Sequence, residues 1–290
     1  MKRYFPPSEL LIEENGVVYH LGLKPEQLAD KVILVGDPNR VPKVAAFFES
    51  TECDVSAREF RTITGSYKGK RISVVGTGIG CDNIDIVMNE LDALANIDFT
   101  TREERDSFRQ LQVVRIGTCG GLQQFTPTGS VICSMKSIGF DGLLNFYAGR
   151  NDVCDLEFEK AFMQHMDWSP LLAAPYTIDA DAELAERIAC DDMVRGVTIS
   201  CGGFFGPQGR RLRVPLAFPE QNSRVESFEY DGWKITNFEM ESSAVAGLSR
   251  LMGHKAVTVC LVIANRVVQS ADIDYNEKMK ELIGTVLERI

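Results

Sequence analysis

The 290-residue chain has little of what marks metal sites, disulfide frameworks or membrane spans. It carries three histidines, His20, His165 and His254, and none stands in an HExxH-type spacing. Its eight cysteines are scattered and form no CxxC pair, which reads as buried thiols and not as a zinc site or disulfide framework. No apolar run approaches the roughly 20 residues needed to cross a bilayer. The start, Met1-Lys2-Arg3-Tyr4-Phe5-Pro6-Pro7-Ser8, lacks the apolar stretch of a signal peptide. Positive charge is scarce as well, with 31 basic against 41 acidic residues and a formal net charge of −10. That balance argues against non-specific nucleic-acid binding and gives no attraction to an anionic membrane. The expectation is a cytoplasmic, metal-independent protein with neither nucleic acid nor membrane as partner. An anionic substrate would need a local arginine cluster set against the overall field.

What is present is alternation. Val32-Ile33-Leu34-Val35 is a buried-strand pattern closed by Gly36-Asp37-Pro38, and 38–49 reads as a helix. A hairpin is expected from 59–67 and 71–75 around a Lys68-Gly69-Lys70 turn. Residues 82–95 form a helix with Asp82 as N-cap. Further strands fall at 113–117, 130–133, 194–200, 233–238 and 256–264, and further helices at 156–166, 241–252 and 275–290. No Pro/Gly/Ser linker and no internal repeat divides the chain, so a single α/β domain over 1–290 is expected. The mixed-charge stretch 100–106 reads as a solvated extension of a helix or loop.

Four segments put glycine, arginine or carboxylate at the ends of these strands, where open α/β sheets bind ligands. Gly36-Asp37-Pro38-Asn39-Arg40 offers a close backbone approach, a helix N-terminus and a cation to an anion, although an ordinary turn with a surface Arg fits too. Arg115 lies inside the apolar run Val114-Arg115-Ile116-Gly117-Thr118 and needs an anion, either a protein carboxylate or a bound phosphate. Gly76-Thr77-Gly78-Ile79-Gly80 invites a dinucleotide reading, but the acidic residue that reading requires is missing, and a tight strand-to-helix turn explains it better. Glu239-Met240-Glu241-Ser242 joins a strand to a helix. A Glu there can act as a cap, or can accept hydrogen bonds from two vicinal hydroxyls of a sugar.

These segments, together with His20-Leu21-Gly22-Leu23 and Arg58-Glu59-Phe60, occur in the order expected of the nucleoside phosphorylase superfamily, and the chain most resembles its uridine phosphorylase branch from about residue 18 onward. The resemblance implies a three-layer α/β/α fold with a central mixed, partly barrel-like sheet. It implies phosphorolysis of uridine to uracil and ribose 1-phosphate, with phosphate as co-substrate and no organic cofactor. Gly36, Arg40, Arg115 and Thr118 would hold phosphate, joined by Arg58 from a neighbouring subunit, so the protein would be at least a dimer. His20, also from the neighbour, would contact the ribose 5′-hydroxyl, while Thr118, Met240 and Glu241 bind the sugar. The segment 203–210 resembles the uracil-reading loop. Phe204 would stack on the base, Gln208 and Arg210 would read its edge and receive charge in the transition state, and Arg266 would stand behind them.

The chain departs from the family pattern in several places. Gly206-Pro207 replaces Pro-Gly, and Cys119 stands where a second Thr is common. A potassium site like that of some bacterial relatives would use Glu59 and the Ile79 carbonyl, but Asn83 replaces its Ser. Residues 98–111 resemble an insertion relative to short bacterial members, so their hexameric assembly does not carry over. Purine-cleaving members place an Asp late in the chain, where this one reads Val262-Ile263-Ala264-Asn265-Arg266, with Asp272 and Asp274 downstream. A purine nucleoside phosphorylase, a nucleosidase of the same fold and a non-catalytic nucleoside-binding protein remain the alternatives.

Overall fold

The computed structural model describes residues 2–271 and 274–290. Along the chain run β1 (Lys31–Val35), α1 (Arg40–Ala45), β2 (Ser50–Ala57), β3 (Phe60–Tyr67), β4 (Lys70–Gly76) and α2 (Cys81–Asn96). The short strands β5 (Ile97–Asp98) and β6 (Glu103–Glu104) precede β7 (Gln112–Gly121), β8 (Val131–Gly139), α3 (Arg150–Val153) and α4 (Leu156–Met166). Then come β9 (Tyr176–Asp179), α5 (Ala182–Ile188), β10 (Val194–Ser200), α6 (Gln221–Ser227), β11 (Glu229–Tyr230) and β12 (Trp233–Glu239). The chain finishes with α7 (Ser242–Met252), β13 (Lys255–Asn265), β14 (Ser270–Ala271) and α8 (Asn276–Arg289).

One sheet collects strands from both halves in the order β11-β12-β10-β8-β13-β7-β1-β4-β3-β2. It is mixed: β1 runs parallel to β4 and to β7, and β7 runs parallel to β13, whereas β13 pairs antiparallel with β8 and β4 with β3. The end of β12 returns to pair with β7 at Asn237↔Gly121 and Phe238↔Gly120, which closes five strands into a barrel. The partly barrel-like sheet of a single α/β domain is therefore present as expected.

Alternation explains the layers. In β1, Val32 and Leu34 pack with α2 and α7, while Ile33 and Val35 pack with α1, α5 and α8. A strand covered on both faces has no polar side to show, hence the unbroken Val-Ile-Leu-Val run. The β3–β4 hairpin turns on Lys68 and Gly69 alone, at φ 48 and 74. Two positive φ angles match the right-handed twist of the flanking strands, and Lys70 already belongs to β4.

The first helix spans only Arg40–Ala45, shorter than the sequence pattern suggests, and the chain turns at 46–48 to enter the edge strand β2 against β3. Asp82 is not a cap: the N-cap of α2 is Gly80, at φ 101, and Asp82 lies in the first turn. The stretch 100–106 is mostly exposed, as its charge suggests, but residues 97–104 are not a bare extension of α2. They form the β5–β6 hairpin, and Arg102 donates to the carbonyls of Phe5 (2.8 Å) and Leu10. Phe108 stacks on His254 with centroids 5.6 Å apart. Among the described residues, no helix is long and apolar enough to cross a membrane.

Candidate active site

The ends of β1, β4, β7, β12 and β13 open onto one cleft of about 740 Å³. Its walls hold Gly36, Arg40, Glu59, Ile79, Asn83, Arg115, Thr118, Phe204, Gln208, Arg210, Met240 and Glu241, so twelve of the fifteen expected site residues converge. A second cavity, of about 730 Å³, contains none of them, and its Lys136 is already held by Asp155 (2.7 Å) and Asp179 (2.5 Å).

Arg115 forms the floor. It shares its strand face with Val113, toward the α2 and α7 layer, where Glu241 immediately precedes α7. Its Nη2 pairs with Glu241, and its Nη1 lies 3.1 Å from Glu239. Burial works against its charge, but the two carboxylates outweigh burial and hold its pKa above the usual arginine value. The expectation of an anion at Arg115 is therefore met first by protein carboxylates. Gly117 makes room for it, because a Cβ there would stand 2.3 Å from Nη1. Its Nε is buried without a partner.

Glu239 was legible only as part of a motif. In the fold it organises the start of α7, accepting from the backbone N–H of Glu241 (2.9 Å) and Ser242 and from the hydroxyls of Ser200 (2.5 Å) and Ser242 (2.9 Å). Glu241 also accepts from the Gly80 N–H at 2.7 Å. The Gly-rich turn thus serves Glu241 and not a dinucleotide.

Beside this floor, Arg40 is buried and donates to the Ile116 carbonyl at 3.2 Å. Burial is the main cause that lowers its pKa. Gly36 lies close by, with room for a Cβ only 3.4 Å from the Gly78 carbonyl and 3.9 Å from Arg115 Nη2. Thr118 lines the cleft next to them. This end offers two guanidinium groups, a hydroxyl and a helix start.

The opposite end holds Gln208, buried, whose Oε1 accepts from Arg210. Arg210 also donates to the Phe204 carbonyl at 2.6 Å, and its guanidinium lies 3.7 Å from the Phe204 ring centroid. The ring expected to stack on a base is therefore covered by Arg210 in this structure. Burial and the charge of Arg266 lower the Arg210 pKa to about 10. Arg266 itself does not line the cleft. It lies over Phe238, at 5.7 Å, with a buried Nη2 that lacks a partner.

His20 and Arg58 are also outside this cleft. They meet elsewhere on the surface: Arg58 lies 4.4 Å from the Tyr19 ring centroid, and Tyr19 meets the His20 ring edge-on at 5.0 Å. Asn265, at the end of β13, is turned into the fold, donating to the carbonyls of Gln123 (2.9 Å) and Thr126 (2.6 Å). Its oxygen accepts from the N–H groups of Val267 and Val268. Asp272 lies outside the described residues.

A family profile described as the phosphorylase superfamily matches residues 30–289. The chain belongs to the phosphorylase superfamily. Among its relatives, a uridine phosphorylase of Thermococcus kodakarensis is 30% identical over 92% of this chain and 84% of its own length. A DeoD-type purine nucleoside phosphorylase of Alkaliphilus metalliredigens is 38% identical over 92% of this chain and 95% of its own. In structure, the chain is similar to a Trypanosoma brucei nucleoside phosphorylase described as showing uridine phosphorylase activity. The TM-score is 0.88 at 28% identity, covering 97% of this chain and 98% of that one. Superfamily membership is thus shared with both pyrimidine- and purine-cleaving relatives, and the base must be argued from the cleft.

Proposed function

We propose that the chain is a uridine phosphorylase that splits uridine with phosphate into uracil and ribose 1-phosphate. The observation that carries the choice of base is the Gln208–Arg210 pair at one end of the cleft. Gln208 keeps its amide N–H groups and the second lone pair of Oε1, enough to meet the alternating donor and acceptor edge of uracil. Asn265, where a purine-cleaving member would carry its acid, has both ends of its amide engaged by the backbone.

Arg40 and Arg115, with Thr118 and the Gly36 backbone, hold phosphate beneath the anomeric carbon. Arg58 of a second copy completes that set, and His20 of the second copy meets the 5′-hydroxyl. Glu241 and Met240 fix the sugar. Attack becomes effectively unimolecular once both substrates are aligned. The glycosidic bond stretches toward an oxocarbenium-like state that the phosphate stabilises, and the charge leaving with the base is received by Arg210 and Gln208. Arg210 leaves the face of Phe204 as the base takes its place, and Arg266 supports Arg210 from behind. Glu59, Ile79 and Asn83 all line the cleft, and the Glu59 carboxylate, the Ile79 carbonyl and the Asn83 side-chain oxygen are the groups that would hold a potassium ion. No step of the reaction is routed through it.

The purine alternative is favoured by the 38% identical relative. Base release from uridine and from inosine, each with and without phosphate, decides between them. Uracil released only with phosphate supports the proposal. Hypoxanthine as the main product overturns the choice of base, and release without phosphate makes the protein a hydrolase.

A further inference from the structure

Glu90 sits on α2 and is buried, with 7% of its surface exposed. A carboxylate in that position must find donors, and among the described residues its hydrogen-bond partners come from one short segment. Its Oε1 accepts from the His20 backbone N–H (3.1 Å) and lies 2.6 Å from His20 Nδ1. Its Oε2 accepts from the Leu21 N–H at 2.8 Å.

We propose that Glu90 is a positioning residue that fixes the His20 tautomer and so sets how the neighbouring site recognises the 5′-position of its nucleoside. An ionised carboxylate only accepts, so Nδ1 must carry its proton toward Glu90. In the neutral imidazole Nε2 is then bare, an acceptor suited to a hydroxyl proton. Three further contacts fix the direction of the ring. Two are the N–H bonds that hold the segment on Glu90, and the third is the edge contact of Tyr19. Ring orientation and tautomer are therefore both set before a ligand arrives.

The same helix starts at Gly80, whose N–H holds Glu241. Ten residues of helix rise separate the two contacts, about 15 Å. One rigid element thus seats the sugar-binding carboxylate of its own cleft and aims the imidazole offered to the next copy.

This inference rests on the assignment of His20 to a neighbouring sugar, and the test separates the two. The rates of uridine and 5′-deoxyuridine phosphorolysis are measured for the wild type, His20→Ala and Glu90→Gln. If the His20 assignment holds, His20→Ala lowers kcat/KM for uridine by about tenfold, the size of one lost hydrogen bond, and leaves 5′-deoxyuridine nearly unchanged. Glu90→Gln should reproduce that selective loss. A Glu90→Gln defect that is equal for both substrates overturns the inference while sparing the His20 assignment. Failure of His20→Ala to discriminate overturns both. An independent readout is the ¹⁵N imidazole spectrum of the wild type. A protonated Nδ1 and bare Nε2 at His20 support the proposal, and the opposite tautomer refutes it even where Glu90→Gln does not fold.

Discussion

Arg115 and Glu241 form an ion pair whose two side chains are at most 5% exposed. Arg115 is also the only cation within salt-bridge reach of Glu239 among the described residues. Its replacement by alanine leaves two carboxylates buried without a counter-charge. Breaking such a pair costs about 3–5 kcal/mol. Arg115→Ala should therefore lose stability as well as turnover, and denaturant unfolding with a lowered midpoint is the check. An unchanged midpoint would mean that Glu239 and Glu241 find other partners.

Arg210 should behave differently. It is half-buried and, among the described residues, bonded only within its own loop, to Phe204 and Gln208. Arg210→Gln should cut kcat/KM by about 100-fold, as for a donor whose bond strengthens in the transition state, with little change in Tm. Because its pKa is lowered to about 10, its charge is present below that pH and lost as pH rises through it. The ratio of wild-type to Arg210→Gln activity cancels ionisation of the nucleoside itself. That ratio should fall near pH 10; a flat ratio would mean that Arg210 keeps its charge through that range, and a ratio near one at every pH would refute the role.

The cysteines offer a test of the packing. Burial pushes the Cys81, Cys119 and Cys201 thiols well up, and takes Cys133 and Cys154 to about 12. The thiolate is the reactive species. Alkylation of the folded protein at pH 8, read by mass spectrometry, should mark the partly exposed Cys53 and Cys190 first. Early labelling of Cys119 would mean that the cleft floor opens.

Arg102 clasps the N-terminal segment through the Phe5 and Leu10 carbonyls. Arg102→Ala should expose residues 2–12 to limited proteolysis while the core melts almost unchanged. Wild-type resistance in the variant would show that the backbone bridge between Tyr4 and Glu103 suffices.

The sequence was most legible where burial is two-sided or periodic. The strand at 194–200 and the helix at 156–166 fall where their patterns place them, because each apolar position has one layer to face. Strand β2 was missed because its residues Ser50–Ala57 are mostly polar and at least partly exposed, as suits a sheet edge. Asp82 resembled a cap because residue type shows nothing of φ, whereas Gly80 can adopt the 101° that the turn needs. In the site, Arg115 announced its need for an anion, but nothing local could reveal that Glu239 and Glu241, more than 120 residues away, would supply it. The Arg210–Phe204 stack was equally hidden, since it depends on a loop folding back on itself.

The separation of Tyr19, His20 and Arg58 from the cleft in their own chain has a genetic consequence under the proposed sharing. A copy that lacks Arg58 keeps a sound cleft, and a copy that lacks Arg115 keeps a sound Arg58. Co-assembled, two inactive mutants would make one working centre between them, so damage in one allele could be masked by different damage in another.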